Sequence, residues 1–116
     1  MDFGQGVKKL VGVVQNYSWG GYDILSSLLG QSNVEKKPMA EYWLGAHPQH
    51  SALLENTNTI PLEAAIRQNP KALLGDRVAA HFDSLPYLLK VLDVREMLSI
   101  QVHPDKKSAA AGFSLF

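Results

Sequence analysis

The stretch "LPYLLKVLDVREMLSIQVHPDKK" (residues 85–107) decides the fold. Its first half, "LPYLLKVLDV" (85–94), is an apolar run of strand length and reads as a buried strand. Its second half alternates. Leu98, Ile100 and Val102 point one way, and Ser99, Gln101 and His103 the other, because strand side chains repeat with a period of two. "REM" separates the two runs, so a hairpin is expected, with residues 86–93 and 98–103 paired antiparallel. A solvated strand face ordinarily carries Thr, Lys or Glu. Here it carries Ser, Gln and His and stops at Pro104, which fits either a wet edge or the wall of a site.

Outward from that hairpin, short strands alternate with short helices. "LVGVV" (10–14) reads as a strand whose Gly12 marks a bulge or a close approach. "NYSWGG" (16–21) is a turn. Ile24, Leu25, Leu28 and Leu29 sit at helical spacing, giving a helix over 22–29 that Gly30 stops. "AEYWLGAHP" and "HSALLE" read as strands on either side of a turn at Pro48. A helix is expected over 61–69, with Pro61 in its first turn and Pro70 ending it, followed by one or two helical turns in "KALLGDRVAAHF". Asp105 caps a last helix over 105–111 that Gly112 closes. The fold class predicted is mainly β with helical excursions.

Composition narrows the chemistry. The 116 residues suffice for one domain, and 46% hydrophobic with 19% charged residues is a globular balance. Eleven basic and eleven acidic residues cancel, so no nucleic-acid or membrane partner is expected, although a local positive pocket is still allowed. No cysteine is present, which rules out disulfides, thiolate metal sites and Cys nucleophiles; any metal must be held by N and O ligands. No apolar run is long enough to span a bilayer, and a cytoplasmic location is the default. "SAAAGFSLF" ends on apolar residues, which either dock on their own core or belong to a chain cut from something longer.

Three features carry candidate chemistry. The Cα atoms of Gln101 and His103 would lie about 6.6 to 6.8 Å apart on one strand face, close enough to share a metal ion. Spacing alone nevertheless favours a plain polar face, because a neutral amide oxygen is an uncommon zinc ligand. Lys90 lies within an apolar run; it either snorkels from an edge strand or faces the same cleft as Ser99, Gln101 and His103, ready for an anion such as a phosphate. Glu41, beside Trp43, either lines a pocket or is merely exposed, and Trp19 is more ordinarily core. Pro48 prevents a helix from carrying both His47 and His50, so a helical metal pair fails. There is no Gly-rich phosphate loop, GxSxG or HExxH.

Four stretches, "VQNYSWGG", "PMAEYWLGAHP", "LPYLLKVLDVREMLSIQVHPDK" and "AGF", together resemble in order and spacing the N-terminal part of type I mannose-6-phosphate isomerases. The resemblance implies a partial cupin-like β-barrel of the jelly-roll type. It also implies a zinc ion and the interconversion of mannose 6-phosphate and fructose 6-phosphate. Carried over residue by residue, it makes Gln101 and His103 the first two zinc ligands. It puts Lys90 and Ser99 near the substrate phosphate, and Trp19 and Glu41 along the sugar pocket. The general base is left unassigned. The family's other ligands, a Glu and a second His, lie further along its sequence, as do an active-site Arg and the strands that close the barrel. Residues 1–116 are therefore expected to be a truncated N-terminal portion of a cupin-type isomerase catalytic domain. Such a portion should be inactive alone and prone to self-association through exposed barrel edges. The alternative is a non-catalytic cupin-like module that binds a sugar phosphate or a partner chain; a different cupin metalloenzyme fits "EYWLGAHP" poorly.

Overall fold

The computed structural model describes residues 6–55 and 59–115. Among them, six strands form two antiparallel sheets and five helices surround these. Strands β1 (Leu10–Val11), β4 (Leu53–Leu54) and β5 (Ile60–Pro61) make one sheet, in the order β1-β4-β5. Strands β2 (Val13–Gln15), β3 (Glu41–Leu44) and β6 (Leu89–Leu92) make the other, in the order β2-β3-β6. The strands do not close into a barrel among the described residues, and the arrangement is a partial cupin-like one. The Cα radius of gyration, 17.1 Å, exceeds the roughly 13 Å expected of a compact chain this long, and the extents of 45 × 41 × 19 Å describe a slab.

Gly12 is where one strand becomes two. A Cβ there would meet the Trp43 carbonyl at 2.5 Å and the Tyr42 ring at 2.6 Å. The Gly12 N–H leaves the ladder and donates to the Tyr42 hydroxyl at 2.6 Å. The close approach expected of this glycine is thus real, and it sends β1 and β2 into different sheets.

Helix α1 (Ile24–Leu29) buries Leu25 completely and ends at Gly30, whose φ of 63° is the left-handed stop that glycine tolerates. Helix α2 (Leu62–Gln68) follows Pro61 and sets Leu62, Ala65 and Ile66 against Leu54, forming the main apolar cluster. The Asn69 side chain accepts from Ala72 N–H at 3.3 Å, with Pro70 at the first position of helix α3 (Pro70–Leu74). Helix α4 (Asp76–Ala79) completes the excursion expected in this region. Helix α5 (Lys106–Phe113) starts as expected: Asp105 accepts from Ser108 N–H at 2.7 Å, and that bond holds its carboxyl below the usual carboxylate range. Gly112 does not close it; the helix runs on through Phe113 and ends at Ser114.

The hairpin of residues 86–93 with 98–103 does not form. β6 instead pairs antiparallel with β3, register Glu41↔Leu92 and Trp43↔Lys90, and residues 98–103 belong to no ladder. What directs the chain away is the turn between them. Asp93 N–H donates to the Ala40 carbonyl at 2.8 Å, and Gly21 N–H donates to the Asp93 carbonyl at 3.2 Å. Arg95 and Glu96 N–H both donate to the Trp19 carbonyl, at 2.9 and 3.2 Å. The chain is thereby led along residues 19–21 rather than folded back on β6. Nor is the 85–94 run buried: every residue of β6 is exposed, because β6 is an edge strand with a face of its sheet uncovered. "AEYWLGAHP" and "HSALLE" hold strands on either side of the Pro48 turn as expected, β3 and β4; these enter different sheets, and Ala52 N–H donates to the Gly45 carbonyl at 2.8 Å where they part.

Gly20 lies against the backbone of Ala40, where a Cβ would sit 2.5 Å from the Ala40 Cα. Neither backbone can yield cheaply. Gly20→Ala is therefore expected to destabilise the chain by about 1–3 kcal/mol, read as a lowered midpoint in urea unfolding. An unchanged midpoint would show that the 19–21 segment is not held against β3.

Candidate functional site

A cavity of about 570 Å³ opens between the 18–19 turn, the sheet of β3 and β6, and the extended segment 96–103. Trp19, Glu41, Lys90, Ser99, Gln101 and His103 all line it. Every residue singled out from the sequence thus meets the same space. They arrive from four separate places in the chain. Glu41 lies on β3 and Lys90 on β6, and the antiparallel register that sets Trp43 opposite Lys90 places Glu41 on the diagonal, within reach of a long side chain. Ser99, Gln101 and His103 come from the extended segment, which has no strand partner; Ile100 and Val102 stay out of the cavity, while Leu98 joins its lining.

Lys90 is not a lone cation. Its Nζ lies 3.5 Å from Glu41 Oε1, while Glu41 Oε2 accepts from the Trp43 indole N–H at 2.5 Å. Glu41 is only 6% exposed, and a carboxylate that deep needs both partners. The Lys90 side chain is 42% exposed, which leaves its ammonium partly open to the cavity. At its rim the Gln101 amide donates to Ser99 Oγ at 3.4 Å, and in that orientation its carbonyl oxygen is the end available to a cation.

The donor set fits part of a zinc site. An imidazole nitrogen and an amide oxygen, both on the cavity wall, are two of the four ligands zinc ordinarily takes. Among the described residues no group of three His, Asp or Glu side chains gathers to hold a metal ion. Gln101 and His103 would therefore have to be joined by donors from outside that set.

Two residues at the site escaped the reading of the sequence. Arg95, there only a spacer in "REM", reaches back across the sheet. Its Nε donates to the Gly20 carbonyl at 3.1 Å and its Nη2 to the Ser18 carbonyl at 2.9 Å, with the guanidinium 5.1 Å from the Tyr22 ring centroid. It fixes the turn that presents Trp19. Trp43, one position beyond Tyr42 on β3, holds the far oxygen of Glu41. Arg95 gave no signal in sequence, since its partners are backbone carbonyls 75 and 77 residues away. Trp43 gave a weak one, being two residues from Glu41 and so on the same strand face.

Comparison with known proteins bears on the same residues. The family model described as phosphomannose isomerase type I, catalytic domain, matches residues 7–114. The mannose-6-phosphate isomerase of Salmonella typhimurium is 46% identical over 110 residues, covering 93% of this chain and 28% of that protein. The Escherichia coli enzyme of the same name is 43% identical over the same shares, and that of Mus musculus 42% over 84% of this chain and 25% of its own length. A crystal structure of the Salmonella typhimurium enzyme bound to its substrate and to zinc superposes with a TM-score of 0.85 at 46% identity, over 93% of this chain and 28% of that one. The chain spans little more than a quarter of the relatives it matches.

Arg95→Ala is expected to loosen the 18–21 turn while leaving β3 and β6 paired. Amide hydrogen exchange at Gly20 and Gly21 should accelerate, with stability falling by about 1–2 kcal/mol for two lost hydrogen bonds. Unchanged exchange at both glycines would mean that the backbone bonds to Asp93 and Trp19 hold the turn unaided.

Proposed function

The chain belongs to the type I phosphomannose isomerase family, and we propose that it carries the first part of a zinc-dependent site interconverting mannose 6-phosphate and fructose 6-phosphate. Residues 1–116 are read as the N-terminal portion of such a catalytic domain. The observation that carries this reading is that six residues from four chain segments share one cavity. A sugar-phosphate-binding module would account for the carboxylate, the ammonium and the hydroxyl; the amide oxygen and imidazole on the same wall are what favour a metal site.

Gln101 and His103 are assigned to zinc, with an oxygen and a nitrogen donor respectively. When bound, the zinc supplies a Lewis acid beside the substrate oxygens. Aldose–ketose exchange moves a proton between C1 and C2 through an enediol. The ends of the sugar must be fixed while that happens, and remote binding energy can do the fixing. Lys90 suits the phosphate: one N–H points toward Glu41 and its exposed remainder can donate to an anion. Ser99 offers a hydroxyl on the same wall, Trp19 a ring face for the sugar, and Glu41 an acceptor for its hydroxyls. The base stays unassigned; both Glu41 oxygens already have partners, which favours a role in binding over proton abstraction.

Among the described residues no helix is long and apolar enough to cross a membrane. Cytoplasmic residence and the absence of a nucleic-acid partner belong to the same reading. So does self-association. Met97, Ile100 and Val102 are 96%, 100% and 89% exposed on a segment without a ladder, an arrangement open to pairing with a second copy.

Two measurements test this. In a longer homologue with the same motifs, Lys90→Met in this numbering should raise KM for mannose 6-phosphate on the order of tenfold or more, as loss of a charged hydrogen bond implies. Zinc content should not change, since the ammonium serves the phosphate; equal affinity in both proteins would refute the assignment. The 116-residue chain alone should bind zinc weakly, show no turnover and elute larger than a monomer. Robust turnover abolished by His103→Ala would show instead that these residues complete a site by themselves or through a second copy.

A further inference from the structure

We propose that Trp43 is a positioning residue for the ion pair in this cavity: its indole N–H fixes the Glu41 carboxylate so that the opposite oxygen holds the Lys90 ammonium. The inference deepens the isomerase reading and rests on it for any consequence in catalysis. The contact itself rests on strand geometry. Trp43 and Glu41 lie two apart on β3, and Trp43 faces Lys90 directly across the ladder. The Lys90 ammonium nevertheless leans diagonally to Glu41 Oε1, 3.5 Å away. Oε2 is taken by Trp43 Nε1 at 2.5 Å.

The chemistry of the indole suits this division. It donates and cannot accept, so it secures one carboxylate oxygen without offering the ammonium a competing partner. A phenylalanine would fill much of the same space and leave a buried carboxylate oxygen unpaired. The indole is itself braced. The His47 ring lies 5.2 Å from it at 59°, and the His50 ring meets it edge-on at 5.8 Å. His47 is set in turn by Gln49, whose N–H donates to its Nδ1 at 3.2 Å. Trp43 does not line the cavity, so any influence it has there passes through Glu41.

The test is trace acylation of the folded 116-residue chain with acetic anhydride, with labelling of each lysine quantified by mass spectrometry. An amine held against a carboxylate 3.5 Å away meets the reagent less freely than one released into solvent. Trp43→Phe and Glu41→Gln should each speed Lys90 labelling on the order of threefold, the scale of a half-exposed charge pair. The double variant should add nothing further. Lys9, paired with Glu55 at 2.6 Å on the other sheet, should label at its original rate and so report that the fold is intact. Wild-type Lys90 labelling in Trp43→Phe alongside faster labelling in Glu41→Gln would overturn the proposal. A second measurement leaves Trp43 in place: Glu41→Gln should shift the Trp43 indole N–H resonance upfield, and an unmoved resonance also overturns it. Inorganic phosphate separates this inference from the isomerase reading. In a longer homologue with the same motifs, Lys90 labelling that ignores phosphate while Trp43 and Glu41 remain coupled would sink the phosphate assignment of Lys90 and leave the positioning role standing.

Discussion

The antiparallel register between Glu41–Leu44 and Leu89–Leu92 is the constraint on which the rest depends. It places Glu41 diagonally from Lys90 and Trp43 directly opposite it, so a single buried carboxylate joins an ammonium to an indole. A slip of one residue would turn Glu41 and Lys90 to opposite faces and dissolve the cavity wall, since strand side chains alternate. The register is fixed by small contacts. β3 is the middle strand of its sheet, Ala40 is fully buried beside it, and Gly12 and Gly20 allow backbone approaches that no side chain would permit.

The turn after β6 extends this order to the rest of the site. Asp93 bonds back to Ala40 and Gly21, and Arg95 reaches the carbonyls of Ser18 and Gly20. These bonds bring Trp19 to one side of the cavity. They also launch residues 97–103 along the other side, which is how Ser99, Gln101 and His103 come to face Lys90. The site is thus assembled by backbone accounting: the polar groups of the 93–96 turn find partners in the 18–21 segment, where an ordinary hairpin turn would have used β6.

The sequence made legible what local chemistry controls. Helix ends at Gly30, Pro61, Pro70 and Asp105 follow from caps and stops whose signals lie within a few residues. The close approach at Gly12 was legible because glycine in a strand demands a reason. Strand partnership was not. "LSIQVH" shows the alternation of an extended chain, but period alone does not say which strand lies alongside, and the bonds that decided it connect residues more than 50 positions apart. Burial misled in the same way. An apolar run implies a covered strand only if something covers it, and β6 lies exposed at the edge of a slab 19 Å thick. The residues of the site were named through four motifs resembling a family. What sequence did not yield was their mutual geometry, above all the splitting of Glu41 between Lys90 and Trp43.

That geometry ties the metal question to the folding question. An extended segment with Ile100 and Val102 open to solvent has no ladder to hold its shape, so Gln101 and His103 keep their places only through the turn behind them and the helix ahead. Two donors on such a segment lose conformational freedom when they bind a cation, and two ligands return less than a full set would. A partner strand laid against residues 98–103 would fix the same alternation, cover the apolar side and aim both donors inward before any metal arrived. On the zinc assignment proposed for Gln101 and His103, strand pairing and metal affinity are linked: whatever pairs with this segment should strengthen metal binding, and metal binding should favour pairing by the same factor, because such coupling is reciprocal.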